Sequence, residues 1–236
     1  MSGKIFNLRK SGFEIRAAKD KKKAEVILYA SIGESWWGDS VSAKQFSDTL
    51  KTVGEVDELD IRINSPGGDV FDGMTIYNRL KQHKAKKTVY IDGMAASIAS
   101  IIALAGDDIV IGEGAAYMIH LPWTFAMGNR NDLDNTVNLL IDIEEQMVGL
   151  YQRKTKIPRT EIKTMLEKET WLFGSEAVEK GFVDRTMEES IPVAASILDK
   201  ASWMKNKPKN ILTDAKAAKA SAELLKNKIA ATLARK

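Results

Sequence analysis

The chain reads as an α/β protein, on three observations. Short apolar runs, one of them alternating at period two, recur between residues 25 and 184. Stretches with apolar residues at helical spacing lie between them. Two strand-to-helix junctions, at 64–68 and 93–97, are built from small residues that let the chain turn sharply. Strands alternating with helices are the signature of this class.

Taken in order, residues 25–30 (EVILYA) form a first strand. Asp39 or Ser40 can cap a helix running through Phe46 and Leu50. Residues 59–63 (LDIRI) alternate apolar and polar and read as a strand aimed at NSPGG, 64–68. Val70, Met74, Tyr77 and Leu80 then recur at helical spacing. Residues 89–91 are a strand, followed by a small-residue helix from about Ser97 to Ala105 and two short strands at 109–111 and 116–119. From Asn131 to Lys154 runs the longest periodic segment, with Leu133, Val137, Leu140, Ile143, Met147 and Leu150 on one side. Six turns is long for a globular domain, so this helix is a candidate assembly element as well as a core element. Pro158 suits the first turn of the next helix, through Ile162 and Leu166. Residues 176–180 close on Gly181 before a strand at 182–184. Leu224, Leu225, Ile229 and Leu233 could make a weak C-terminal helix.

Composition narrows the chemistry. The 236 residues include no cysteine, which excludes disulfides, thiolate metal sites and a cysteine nucleophile. Two histidines, His83 and His120, are too few for a His-rich metal centre. The longest apolar stretch, 95–106, contains serines and is too short to span a bilayer. Residues 1–4 lack an apolar signal core, so the expectation is a soluble protein of the cytoplasm, without membrane association. The net charge of +3 is unevenly spread. Residues 191–236 carry ten basic and three acidic side chains, a net +7, leaving residues 1–190 at −4. Nucleic acid is therefore not the expected partner of the body of the protein. Three divisions follow: a polar, basic N-terminal segment at 1–23, expected to be loosely held; a body at 24–190; and an Ala/Lys-rich basic tail at 191–236.

Three segments could carry chemistry. The NSPGG turn offers backbone N–H groups to a phosphate, a carboxylate or an oxyanion, or is only a tight turn needing positive φ. No Walker lysine follows it. Ser97, closing GMAAS at 93–97, falls where a helix begins, where a serine commonly serves as an N-cap. His120 ends an apolar strand, where a buried, hydrogen-bonded histidine is the ordinary outcome. His83 lies among Lys81, Gln82 and Lys84 and reads as solvated. Combined, they suggest more. A serine nucleophile needs a base, an acceptor to orient that base, and two oxyanion donors.

Residues 63–68 (INSPGG), 93–97 (GMAAS) and 118–120 (MIH) resemble, in order and nearly in spacing, the Clp protease proteolytic subunit (ClpP) family. Tyr77 and residues 176–184 fit as well, and the resemblance covers about residues 25–187. Residues 24–29, 36–39 (WWGD) and 41–46 look more like the phage branch, the Clp-like head maturation (prohead) proteases. The resemblance implies a ClpP/crotonase-like spiral of β-β-α units with a protruding handle helix, plus the basic C-terminal tail. It implies Ser97 as nucleophile, His120 as general base, and the N–H groups of Gly68 and Ile98 as the oxyanion hole. The acid departs from the family pattern: Glu169 stands where aspartate is usual, with Glu167 as the nearby competitor.

The implied activity is that of an ATP-independent serine endopeptidase needing no cofactor. Its expected substrates are phage scaffold or capsid protein, cleaved in the host cytoplasm or inside the procapsid, by homo-oligomeric rings. The nearest alternative is a cellular Clp-type subunit fed by an ATPase. A crotonase-like acyl-CoA enzyme and a catalytically silent scaffold are further alternatives. The basic tail has three readings: a solvated appendage, a contact for an acidic partner, or a segment removed by the enzyme itself.

Overall fold

A computed structural model describes residues 5–6, 12–17, 22–34 and 39–187. The basic tail and the weak helix expected within it, together with Trp36 and Trp37, lie outside the described residues.

The centre of the molecule is a parallel run of four strands: β3 (Lys23–Leu28), β6 (Glu58–Ser65), β7 (Lys86–Ala96) and β8 (Asp108–Ile111), adjacent in that order. Their alternation buries Val26, Leu28, Leu59, Ile61, Ile63, Val89 and Ile91 on one face. Parallel neighbours require crossovers, and these are helices. After β4 (Ser31–Ile32) and β5 (Ser40–Val41), helix α1 (Ala43–Val53) leads to β6; α2 (Val70–Gln82) joins β6 to β7, and α3 (Ile98–Ala103) joins β7 to β8. Helix α1 starts later than the sequence suggests because Ser40 is spent pairing with Ser31. Ser42 caps it instead, in a reciprocal capping box with Gln45.

The sheet extends beyond the expected strands at its N-terminal edge. The short β1 (Ile5–Phe6) pairs with β2 (Phe13–Ala17), which runs antiparallel to β3. Phe13 and Ile15 are buried, and the Phe13 ring meets Phe46 at 5.5 Å. The expectation that residues 1–23 are loosely held therefore does not hold for Phe13–Ala17. Its alternating Phe-Glu-Ile pattern is short and follows a charged start, so the strand is visible only once β3 offers it an edge.

Strand β7 decides where the site forms. Its first half pairs with β8 through Thr88–Ile91, and its second half pairs with β9 (Ala116–Ile119) through Met94–Ala96. Against β6 the register jumps between Ile63↔Ile91 and Ser65↔Ala95, so β7 carries two extra residues there. One of them is the buried Asp92. Its carboxylate takes a bidentate pair of hydrogen bonds from Arg62 and one from the Tyr29 hydroxyl. Arg62 also lies over the Tyr90 ring, 5.2 Å from its centroid. The irregularity is thus braced from β6 and from the residue that follows β3.

Helix α4 (Arg130–Thr155) follows, then α5 (Arg159–Glu167), β10 (Thr170–Phe173), α6 (Gly174–Glu179) and β11 (Arg185–Thr186). Pro158 sits just outside α5 as its cap rather than in its first turn. The expected strand at 182–184 is a turn that buries Phe182 and Val183, and pairing with β8 begins only at Arg185. Strand β10 runs antiparallel to β9 and has no counterpart in the sequence reading. Along α4 only the last turns pack on the body, through Met147, Val148, Leu150 and Tyr151. Leu133, Val137, Leu139 and Ile141 are each between 42% and 54% exposed, so the expected stripe is buried at one end only. No helix among the described residues is long and apolar enough to cross a membrane.

Candidate active site

The site is assembled where β6 and β7 end. Ser65 closes β6 and is fully buried; its hydroxyl donates to the Ala30 carbonyl at 2.6 Å and accepts from the Gly67 N–H at 3.2 Å. This serine shapes the glycine turn from within, a role the NSPGG motif does not announce. Gly67 and Gly68 have φ of 89° and 148°, the region that a side chain disfavours. The turn is also held from outside. The Ile32 N–H donates to the Gly67 carbonyl, and the Asp69 N–H donates to the Ile32 carbonyl. Both bonds of this bridge use the neighbours of Gly68, so the Gly68 N–H points to the side away from Ile32.

Ser97 stands at the N-cap position of α3, yet its side chain makes no capping bond. Its backbone is at φ 55°, ψ −130°, outside the regions open to an L-residue. Its N–H continues the β7–β9 pairing by donating to the Met118 carbonyl at 3.0 Å. The hydroxyl meets His120 Nε2 at 2.8 Å. The N-cap role that a serine at this position ordinarily takes is therefore displaced by a contact to the histidine. Ile98 opens α3, and its N–H belongs to the first helical turn, which has no intrahelical acceptor.

His120 follows directly on β9 and is buried. Burial lowers its pKa from the ordinary 6.5, because the imidazolium loses hydration, while the negative charge of Glu169 opposes that shift. Thr170 pairs with Ile119 in the last pair of the β9–β10 ladder, so Glu169 and His120 both lie just beyond that end of it. Glu169 is half-buried at φ 50°, and its carboxylate accepts from Trp171 Nε1 at 3.4 Å. Glu167, by contrast, is exposed at the end of α5.

Ser97, His120 and Glu169 thus come together from three separate stretches, with the Gly67–Gly68 turn against the serine. His83 does not join them. It is half-buried rather than solvated, with Nδ1 accepting from the Ala85 N–H at 3.2 Å. It lines a groove of about 640 Å³ between the C-terminal ends of α1 and α2, with Leu50, Val56 and Arg79, and none of the site residues borders it.

A strained serine whose hydroxyl contacts a buried histidine, on a parallel α/β scaffold, is the arrangement found in serine hydrolases. Residues 22–190 match the model of the Clp protease family, and the chain belongs to that family. It is 25% identical, over 170 residues, to the ATP-dependent Clp protease proteolytic subunit of Deinococcus radiodurans. That overlap covers 71% of this chain and 82% of the relative.

Proposed function

We propose that the protein is a serine endopeptidase in which Ser97 is the nucleophile and His120 the general base. Glu169 orients the imidazole, and the N–H groups of Gly68 and Ile98 receive the oxyanion. The observation that carries this reading is the Ser97 hydroxyl 2.8 Å from His120 Nε2, on a serine held at φ 55° with no capping bond. His120 takes the hydroxyl proton as Ser97 Oγ attacks a peptide carbonyl. The same proton goes to the leaving amine as the peptide bond breaks, and water then releases the acyl group by the reverse sequence. A depressed pKa keeps His120 neutral and ready to accept a proton near neutral pH. Glu169 is preferred over Glu167 because it is half-buried and its charge acts on the imidazole, whereas Glu167 is exposed. None of these steps calls on a cofactor or on ATP.

A fluorophosphonate probe tests the assignment. Wild-type protein is expected to label at Ser97, and Ser97→Ala and His120→Ala to lose labelling while remaining folded. Unlabelled wild-type protein in an assembled sample would sink the reading.

The proposed setting is phage head maturation, with scaffold and capsid protein as substrates in the host cytoplasm. Support comes from residues 36–39 (WWGD) and from the basic extension at 191–236, beyond a catalytic body at 24–190. A cellular subunit fed by an ATPase is favoured instead by the likeness to the Deinococcus protein, which spans 82% of that ATP-dependent enzyme's subunit. Neighbouring genes separate the two: portal and capsid genes support the first, an ATPase partner the second. In either setting we propose homo-oligomeric rings joined through α4, whose exposed apolar residues give the interface.

A further inference from the structure

Behind the nucleophile turn lies a buried chain of hydroxyl groups that the peptidase steps do not use. Ser100, Tyr117 and Tyr151 are each fully buried. Ser100 Oγ lies 2.5 Å from the Ser97 carbonyl oxygen and 2.7 Å from the Tyr151 hydroxyl. The Tyr117 hydroxyl donates to the Ser100 carbonyl at 2.6 Å. Counting protons settles the directions. A carbonyl can only accept, so the single hydroxyl proton of Ser100 goes to the Ser97 carbonyl. Tyr151 must then donate its own proton to Ser100 Oγ. The chain runs one way, from helix α4 through Ser100 to the backbone of Ser97.

That backbone has to be held. A non-glycine residue at φ 55°, ψ −130° persists only where its surroundings over-determine it. On one side, the Ser97 N–H is fixed to Met118. On the other, its carbonyl accepts from both the N–H and the hydroxyl of Ser100, so the Ser100 side chain clamps the second peptide group of the turn. Tyr151 has its ring set by packing against Phe182, 5.8 Å between centroids, which leaves the hydroxyl as its link to the serine turn. A bond donated to Ser100 Oγ polarises that hydroxyl and strengthens its own bond onward.

We propose that Tyr151, acting through Ser100, is a positioning residue for Ser97: it holds the nucleophile's peptide in the strained conformation that aims the hydroxyl at His120. The proposal rests on the reading of Ser97 as nucleophile. Because Tyr151 belongs to the packed end of α4, the same bond ties the nucleophile turn to the helix whose outer turns are exposed.

The test compares Tyr151→Phe, Ser100→Ala, the double variant and Tyr117→Phe. Fluorophosphonate labelling rates and turnover of a short fluorogenic peptide are measured on assembled, folded protein well below each melting temperature. Tyr151→Phe keeps the ring and is expected to lower kcat and the labelling rate about three- to fivefold, with KM within twofold. Ser100→Ala is expected to lower them about tenfold, and the double variant no further than Ser100→Ala, since one residue acts through the other. Tyr117→Phe removes an equally buried hydroxyl that does not feed the Ser97 carbonyl, and is expected to lower stability with kcat within twofold. The proposal is overturned if Tyr151→Phe labels at the wild-type rate. It is equally overturned if Tyr151→Phe and Ser100→Ala multiply independently, or if Tyr117→Phe costs as much kcat as Tyr151→Phe. A wild-type protein that neither labels nor cleaves is a separate outcome: it removes the peptidase reading, and the proposal falls with it.

Discussion

Gly67 and Ser97 approach so closely that a methyl group on the glycine would lie 2.7 Å from the serine Cβ and 2.7 Å from the Ala96 carbonyl oxygen. At Gly68 the obstacle is the Ile32 carbonyl oxygen, 2.0 Å from where a methyl would stand. The two glycines therefore let one backbone touch both the Ser97 turn and strand β4.

Substitution of either glycine should be costly in two separate ways. Gly67→Ala and Gly68→Ala are each expected to lose about 1–3 kcal/mol from backbone strain, before any clash is counted. Both should lower kcat/KM about a hundredfold at temperatures where the protein stays folded, because the turn and its N–H groups shift away from Ser97. Denaturant titration reads the first effect and peptide hydrolysis the second. A Gly68→Ala variant with full activity would contradict the oxyanion assignment.

The pH dependence has a definite sign. With His120 as the proposed general base, kcat/KM should rise with pH, with the midpoint lowered by burial from the ordinary 6.5. Glu169 favours the imidazolium, so Glu169→Gln should move that midpoint lower still. The same change should reduce the rate about a hundredfold or more, since the ring loses its orienting charge. A midpoint that rises or stays put in Glu169→Gln would argue against the pairing. For stability the sign follows from the same depressed pKa. In the unfolded chain His120 takes a proton near its ordinary 6.5. The contribution of the buried neutral ring is therefore complete above that value and is lost as pH falls through the lower folded value.

Asp92 should be among the least replaceable residues outside the site. Asp92→Ala leaves Arg62 and the Tyr29 hydroxyl without their shared acceptor at the kink of β7. Arg62 retains some solvent contact, so the expected loss lies near the lower end of the ~3–5 kcal/mol typical of a broken buried pair. Asp92→Asn, which keeps an acceptor, should cost less. Equal melting temperatures for Asp92→Ala and wild type would show that the kink is held by other means.

The exposed turns of α4 allow assembly and stability to be separated. Leu133→Glu, Val137→Glu and Ile141→Glu together should lower the mass measured by light scattering. The stability of the dissociated subunit should change by no more than about 0.5 kcal/mol per position, as expected of surface sites. A wild-type monomer at micromolar concentration would remove the ring model.

Much of this architecture is legible along the chain because its signals are local. The alternation of residues 59–63, the spacing of Val70 and Leu80, and the length of the segment from 131 to 154 each depend on neighbours a few positions away. Strand β10 and strand β2 are not legible, since Thr170–Phe173 and Phe13–Ala17 become strands only by pairing with β9 and β3. The same limit applies to Asp92. Its sequence neighbours are an isoleucine and a glycine, while its partners lie 30 and 63 residues away.

The sequence by itself determined which residue types are available: one histidine after an apolar strand, a serine at each of two small-residue turns, no cysteine, and a basic excess confined to residues 191–236. Tertiary structure decided which of those residues meet. Seen in the chain alone, Ser97 suits an N-cap, and Glu169 takes the acid's place only by resemblance, with Glu167 as a nearby competitor. The strained backbone of Ser97, clamped between Met118 and Ser100, turns its hydroxyl from the helix to His120. The β9–β10 ladder ends beside both His120 and Glu169, and the charge of Glu169, not of the exposed Glu167, acts on the imidazole. Both choices rest on hydrogen bonds between segments far apart in sequence, and such bonds acquire a geometry only when the sheet has closed.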